Sequence, residues 1–117
     1  MKTIKTFETP EIPNPHFISV RALHVGDSAQ FEHLSLGPEQ EQKKHVAYTN
    51  VYLYVLEGSG ILEAGDEIIS LSTDMLVEMP SATPHRLINT GSSRLRLLNV
   101  KAPLPVKSTH LLAERKD

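Results

Sequence analysis

No cysteine occurs in this 117-residue chain, which excludes disulfides, thiolate nucleophiles and sulfur-bound metals; a zinc site would have to use histidine and carboxylate. An excess of charge of one sign is also missing: 12 Lys and Arg stand against 14 Asp and Glu, a formal charge of −2. Without a basic field there is nothing to hold a phosphate backbone, so nucleic acid is not expected as a partner. No apolar run approaches the roughly 20 residues that span a bilayer. The opening residues Met1-Lys2-Thr3-Ile4-Lys5-Thr6 lack the apolar core of a secretory leader. No membrane partner is therefore expected, and a cytoplasmic location follows by default. Convincing helical periodicity is absent as well. The glycines do not form a phosphate loop, since no helix follows them, and no serine or lysine stands in a nucleophile setting. An apolar content of 39% with 22% charged residues is that of an ordinary folded protein. The length suits one domain that buries about two-thirds of its unfolded surface.

What the chain does contain is a succession of short strand-like segments parted by turn residues. The strongest is the stretch 51–57, rich in β-branched and aromatic side chains that suit a pleated, half-buried surface. Gly58-Ser59-Gly60 lets the chain reverse, and residues 61–64 read as a returning strand, so 51–64 is expected to form a central hairpin. Further strands are expected over 16–25, 29–36, 45–48, 67–71, 75–79, 85–89 and 94–101. Alternation over 29–36 puts Phe31, His33 and Ser35 on one face and Glu32, Leu34 and Leu36 on the other. Residues 39–44 are polar and without apolar period, and read as a solvated loop. Pro10, Pro13 and Pro15 make residues 1–15 an extended arm, because proline fixes φ and removes a donor. Residues 106–117 read as a polar tail, a short helical turn or a mobile end. Regular short strands with turns between them, and no repeat, define an all-β sandwich or barrel over 16–105.

Two stretches together resemble the cupin superfamily of double-stranded β-helix (jelly-roll) barrels. One runs from Gly37 through His45 to Tyr54-Val55-Leu56-Glu57-Gly58-Ser59-Gly60; the other runs from Asp74 through Pro80, His85 and Asn89. The resemblance implies a single cupin barrel. In the family, a His-x-His pair, a glutamate and a later histidine commonly hold one divalent metal inside it. Counting back from Gly58 puts the glutamate position on Val51 and the paired histidines on His45 and Ala47. Counting forward from Gly37 puts the pair on Lys43 and His45. In the second stretch Asp74 and Ala82 stand where the family has glycine, while Pro80, His85 and Asn89 match.

Two of the four ligand positions therefore survive, His45 and His85. A catalytic metal generally needs about three protein ligands and an open position, and valine offers no lone pair. This favours a site without iron, manganese, nickel or zinc; a bound divalent metal would need a further ligand such as His33 or Tyr48. The candidate ligand-binding residues are His45, His85, Val51, Leu53, Asn89 and His33, with His45 and His85 as the candidate metal ligands and no catalytic residue assigned. Asn89 reads rather as fixing the turn or a strand hydrogen bond than as touching a ligand. His16, His24 and His110 read as surface or strand-face residues. Tyr52 and Tyr54 alternate away from Val51, so they read as packing between sheets or at a subunit contact.

The function expected first is a small-molecule binding module with an apolar barrel interior and two imidazole anchors. The alternatives are a metal-dependent dioxygenase, isomerase or decarboxylase, and a regulatory or dimerisation module without turnover. Pairing of edge strands is a common way to protect them, so a homodimer is expected, with the proline-rich arm as a contact.

Overall fold

A computed structural model describes residues 1–103 and 110–112. Its strands are β1 (Ser19–Val25), β2 (Gln30–Leu36), β3 (Glu41–Val46), β4 (Asn50–Glu57), β5 (Gly60–Ala64), β6 (Glu67–Leu71), β7 (Leu76–Met79), β8 (His85–Ile88), β9 (Leu95–Ala102) and β10 (His110–Leu111). They form two five-stranded antiparallel sheets, ordered β1-β2-β9-β4-β7 and β10-β3-β8-β5-β6. Except at β1–β2 and β5–β6, each strand is followed by one in the opposite sheet. This is the double-stranded β-helix, and the all-β expectation holds.

The expected hairpin over 51–64 is not one. β4 pairs with β7 and β9, whereas β5 pairs with β6 and β8. Gly58-Ser59-Gly60 instead carries the chain from one sheet to the other. Gly58 has φ of 88°, and a Cβ there would collide with the Arg94 carbonyl. A Cβ on Gly60 would meet the Ile88 carbonyl oxygen at 2.5 Å. The glycines serve close approach of two sheets, a need that looks like a hairpin turn in one dimension. The true hairpin in this region is β5–β6, turned at Gly65, whose φ is 58°.

Residues 41–44 are strand, not solvated loop. Their polarity has a structural reason. The β3–β8 register slips between Gln42 and His45, so Gln42 and His45 are buried while Lys43 and Lys44 face water. A bulge of this kind re-aims a side chain, and it hides the period-2 pattern. The proline-rich arm contains one 3-10 turn, Thr6–Glu8. Within the tail, residues 110–111 pair with β3 and the Leu112 amide donates to the Lys44 carbonyl at 3.1 Å, so this strand extends the second sheet; residues 106–109 and 113–117 lie outside the described residues.

Inward-facing positions supply the core: Leu34 and Leu36, Val51, Leu53 and Val55, Leu62, Val77 and Met79, Leu87, Leu95 and Leu97 are all buried in one cluster. Each alternates with outward residues along its strand. Fully burying one such side chain contributes about 1.5–3 kcal/mol. Towards β1, β2 and β3 the polar side chains of Glu32, Gln42 and His45 join Val20 and Leu34 around a cavity.

The backbone accounts for two departures from the family pattern. Asp74 and Ala82, which stand at the glycine positions, have φ of 65° and 64°. These are left-handed conformations that cost a residue with a Cβ roughly 1–2 kcal/mol. The chain keeps the conformation without the residue type that suits it.

Candidate functional site

His45 lies near the end of β3 and His85 opens β8, and the two are direct register partners. Both point inward, with side chains almost wholly buried and ring centroids 4.1 Å apart. The loop before His85 is fixed by the Ala82 amide donating to the Ala47 carbonyl at 2.8 Å and by Thr83 Oγ1 donating to the Pro80 carbonyl at 2.7 Å. His45 Nδ1 is 2.8 Å from the Lys43 carbonyl oxygen and His85 Nδ1 is 2.9 Å from that of Thr83. A carbonyl only accepts, so Nδ1 carries the proton in both rings. In the neutral rings Nε2 then bears the lone pair.

Burial pushes the His45 pKa down to about 3, helped by the neighbouring His85 and opposed by the Lys43 carbonyl. Burial likewise lowers that of His85, with Lys101 adding to the effect and the Thr83 carbonyl opposing it. At neutral pH both rings are uncharged.

Beside His45 lies a cavity of about 210 Å³, lined by Asn14 and Pro15 from the arm, the adjoining His16, Val20, Glu32, Leu34, Gln42, His45 and Lys101. His16 is a third imidazole, its centroid 5.3 Å from that of His45. Its Nδ1 accepts from the Lys43 amide at 2.7 Å, which locks the arm against β3. Burial lowers its pKa, with Lys43 and then His85 adding to the shift. Glu32 accepts from Asn99 at 3.1 Å and from Gln30 at 3.2 Å, and lies 3.9 Å from Lys101 Nζ.

The other expected site residues go elsewhere. Val51 and Leu53 are core side chains, 2% and 1% exposed, packed in the apolar cluster. Asn89 donates to the carbonyls of Leu36 and Ser93, both at 2.9 Å, and accepts from the Gly91 amide at 3.0 Å, so its hydrogen-bonding capacity goes into the fold. His33 is buried on the opposite face of β2 from the cavity-lining Glu32 and Leu34. There it accepts from Arg96 Nε at 3.1 Å and meets the edge of Phe7 from the arm. Its pKa is lowered to about 4 by burial and by Arg96 and Arg21. It is therefore corrected from cavity wall to outer-face anchor of the arm. Val51 facing inward and Lys43 facing out agree with the register that aligns His45 and Ala47 with the histidine pair.

Sequence reasoning missed His16, Glu32, Gln42 and Lys101. Glu32 did carry a signal, a carboxylate on the same face as Leu34 and Leu36. Lys101 carried one too, continuing the inward series Leu95, Leu97, Asn99. His16 carried none, because its position depends on how the arm folds back.

The donor set does not suit the metal that the fold commonly carries. Among the described residues only His45 and His85 offer converging imidazoles, Val51 replaces a carboxylate with methyl groups, and the third ring has Nδ1 engaged by an amide. Lys101 adds a cation near both rings, lowering their proton affinity. Among the described residues no group of three or more His, Cys, Asp or Glu has an arrangement able to hold a metal ion.

The geometry is that of a small barrel with one polar, histidine-bearing cavity. The cupin domain family matches residues 30–101, more than half of the chain, and the chain belongs to that family. Among solved structures it is similar to TT1209 from Thermus thermophilus, with 27% identity and a TM-score of 0.77 over 90% of this chain and 100% of that one. It is also similar to the polyketide cyclase RemF from Streptomyces resistomycificus, with 18% identity and a TM-score of 0.82 over 100% of this chain and 89% of that one. A predicted oxalate decarboxylase from Thermotoga maritima shares 18% identity at a TM-score of 0.76, over 88% and 100% of the two chains. At 18% identity the last two establish the fold alone. No curated protein matches the chain. No helix among the described residues is long and apolar enough to cross a membrane.

Proposed function

We propose that this cupin binds a small organic molecule in the barrel, with His45 and His85 as hydrogen-bonding anchors and no resident metal. One observation carries the reading. Two neutral imidazoles stand side by side, His45 in the wall of a cavity whose other charged groups are the Lys101 ammonium and the Glu32 carboxylate, and among the described residues no group of three or more His, Cys, Asp or Glu is arranged to hold a metal ion. A concave site with few convergent polar groups is what small-molecule recognition requires. The functional unit in this reading is the barrel over 16–105, with the arm over 1–15 closing the cavity through Asn14 and Pro15 beside His16.

Native mass spectrometry and elemental analysis of the protein purified from cells supplied with iron, manganese, nickel and zinc test this. A bound organic mass that is lost in His45→Ala or His85→Ala supports it. Near-stoichiometric metal that disappears in the double variant refutes it and favours the metal-dependent enzyme.

A second reading concerns assembly. The outer face of the first sheet carries Tyr54, Leu56 and Leu76, which are 36%, 36% and 54% exposed. Tyr54 is opposite Leu76 on one side and Leu98 on the other. A one-sided sheet normally alternates apolar-in with polar-out, so a second apolar face favours pairing of two copies there. Light scattering at micromolar concentration is expected to give twice the chain mass. Leu76→Glu is expected to give the monomer, and a monomeric wild type would overturn the reading.

A further inference from the structure

Three imidazoles meet at the cavity, His16 and His45 in its wall and His85 against His45, and they do not present the same atom to a ligand. The Lys43 and Thr83 carbonyls hold protons on Nδ1 of His45 and His85, leaving lone pairs on their Nε2 atoms. The Lys43 amide does the reverse at His16. It donates to Nδ1, so the proton of that neutral ring sits on Nε2. One residue of β3 thus sets two opposite tautomers, with its carbonyl for His45 and its amide for His16. From these bonds we infer that the cavity selects a neutral head group that gives hydrogen bonds to His45 and His85 and accepts one from His16. A primary carboxamide fits, with two N–H donors and a carbonyl acceptor; a carboxylate of the same shape is rejected.

The inference rests on the small-molecule reading of this cavity and sharpens it. Two adjacent lone pairs repel an anion and leave an oxygen without donors there, and a buried acceptor without a donor costs binding. Lys101 and Glu32 both line the same space, 3.9 Å apart, so a bound carboxylate would meet the Glu32 charge as well as the Lys101 ammonium. His16 is then a specificity residue in a segment that carries no family motif. It reaches the cavity only because the arm folds back and Lys43 holds it.

Long-range proton–nitrogen correlation spectra of protein labelled on histidine nitrogen read the tautomers directly at pH 7, with no substitution needed. The expected result is Nδ1-protonated His45 and His85 and Nε2-protonated His16; Nε2 protonation of either of the first two overturns the inference. Benzamide and benzoate, equal in shape, are the binding probes. Benzamide is expected to shift the Nε2 resonances of His45 and His85 saturably, with benzoate at least ten-fold weaker. His16→Phe is expected to weaken benzamide about five-fold. Benzoate binding in the cavity as tightly as benzamide overturns the head-group rule while leaving small-molecule binding intact. If neither probe shifts a cavity histidine, the rule fails, and the broader reading is decided separately by the native mass measurement.

Discussion

Acid should destabilise this protein well above the pH at which carboxylates titrate, and His45 sets the scale. In the unfolded chain its pKa is the ordinary 6.5, whereas in the barrel burial lowers it to about 3. Between those values the unfolded state binds a proton that the folded state refuses, so stability falls as pH falls. Each unit is about 1.4 kcal/mol. From pH 7 to pH 5 the unfolded form gains nearly a full proton at this site, a loss of about 2 kcal/mol. The loss grows towards pH 3 and then levels off as both forms are protonated. His85, His16 and His33 are shifted in the same direction and add to it. Urea unfolding at half-unit pH steps from 7.5 to 4.5 measures the slope, and His45→Gln isolates the contribution of the one ring. The variant is expected to lose about 2 kcal/mol less than wild type over pH 7 to 5. A wild-type stability that is flat or rising over that interval, or a variant with the same slope, would refute the buried-neutral assignment.

Four further outcomes follow from particular contacts. Gly60→Ala should lower the urea midpoint by the equivalent of about 1–3 kcal/mol, because the added methyl overlaps the Ile88 carbonyl and a Leu95 methyl. Asn89→Ala should cost about 2–4 kcal/mol, since it orphans the Leu36 and Ser93 carbonyls and the Gly91 amide together; a loss under 1 kcal/mol would show that water replaces the side chain. Ala82→Gly should raise stability by about 0.5 kcal/mol, relief of the left-handed conformation outweighing the entropy of glycine, and a lowered midpoint would count against that. Arg86→Met should change stability by less than about 1 kcal/mol in the same unfolding assay, although Arg86 makes two hydrogen bonds to Glu41, because the pair is partly exposed.

The fold was legible because its signals are local. Alternation over β4 and β9, turn residues at regular intervals and the two motif stretches each rest on a few neighbouring residues. Those same signals placed His45 and His85 on inward positions. The crossing at Gly58-Ser59-Gly60 was misread because a chain reversal and a sheet-to-sheet passage use the same residue types, and only pairing distinguishes them. Residues 41–44 of β3 read as a loop, apart from the strand expected at 45–48, because the bulge breaks the alternation and the inward Gln42 and His45 line a cavity rather than a core. His33 was misplaced because a buried histidine can occupy either face of a sheet, and the outer face here is covered by Phe7 of the arm.

By itself the amino-acid order determined an all-β sandwich or barrel and the absence of thiol chemistry, since residue type and spacing decide these, and its resemblance to the cupins added the missing carboxylate at Val51. The tertiary structure decided which histidines meet, that His16 joins them from beside the arm, and which ring nitrogen keeps its proton. Those properties depend on backbone carbonyls and amides brought together by the packing of two sheets, and side-chain identity carries no record of them.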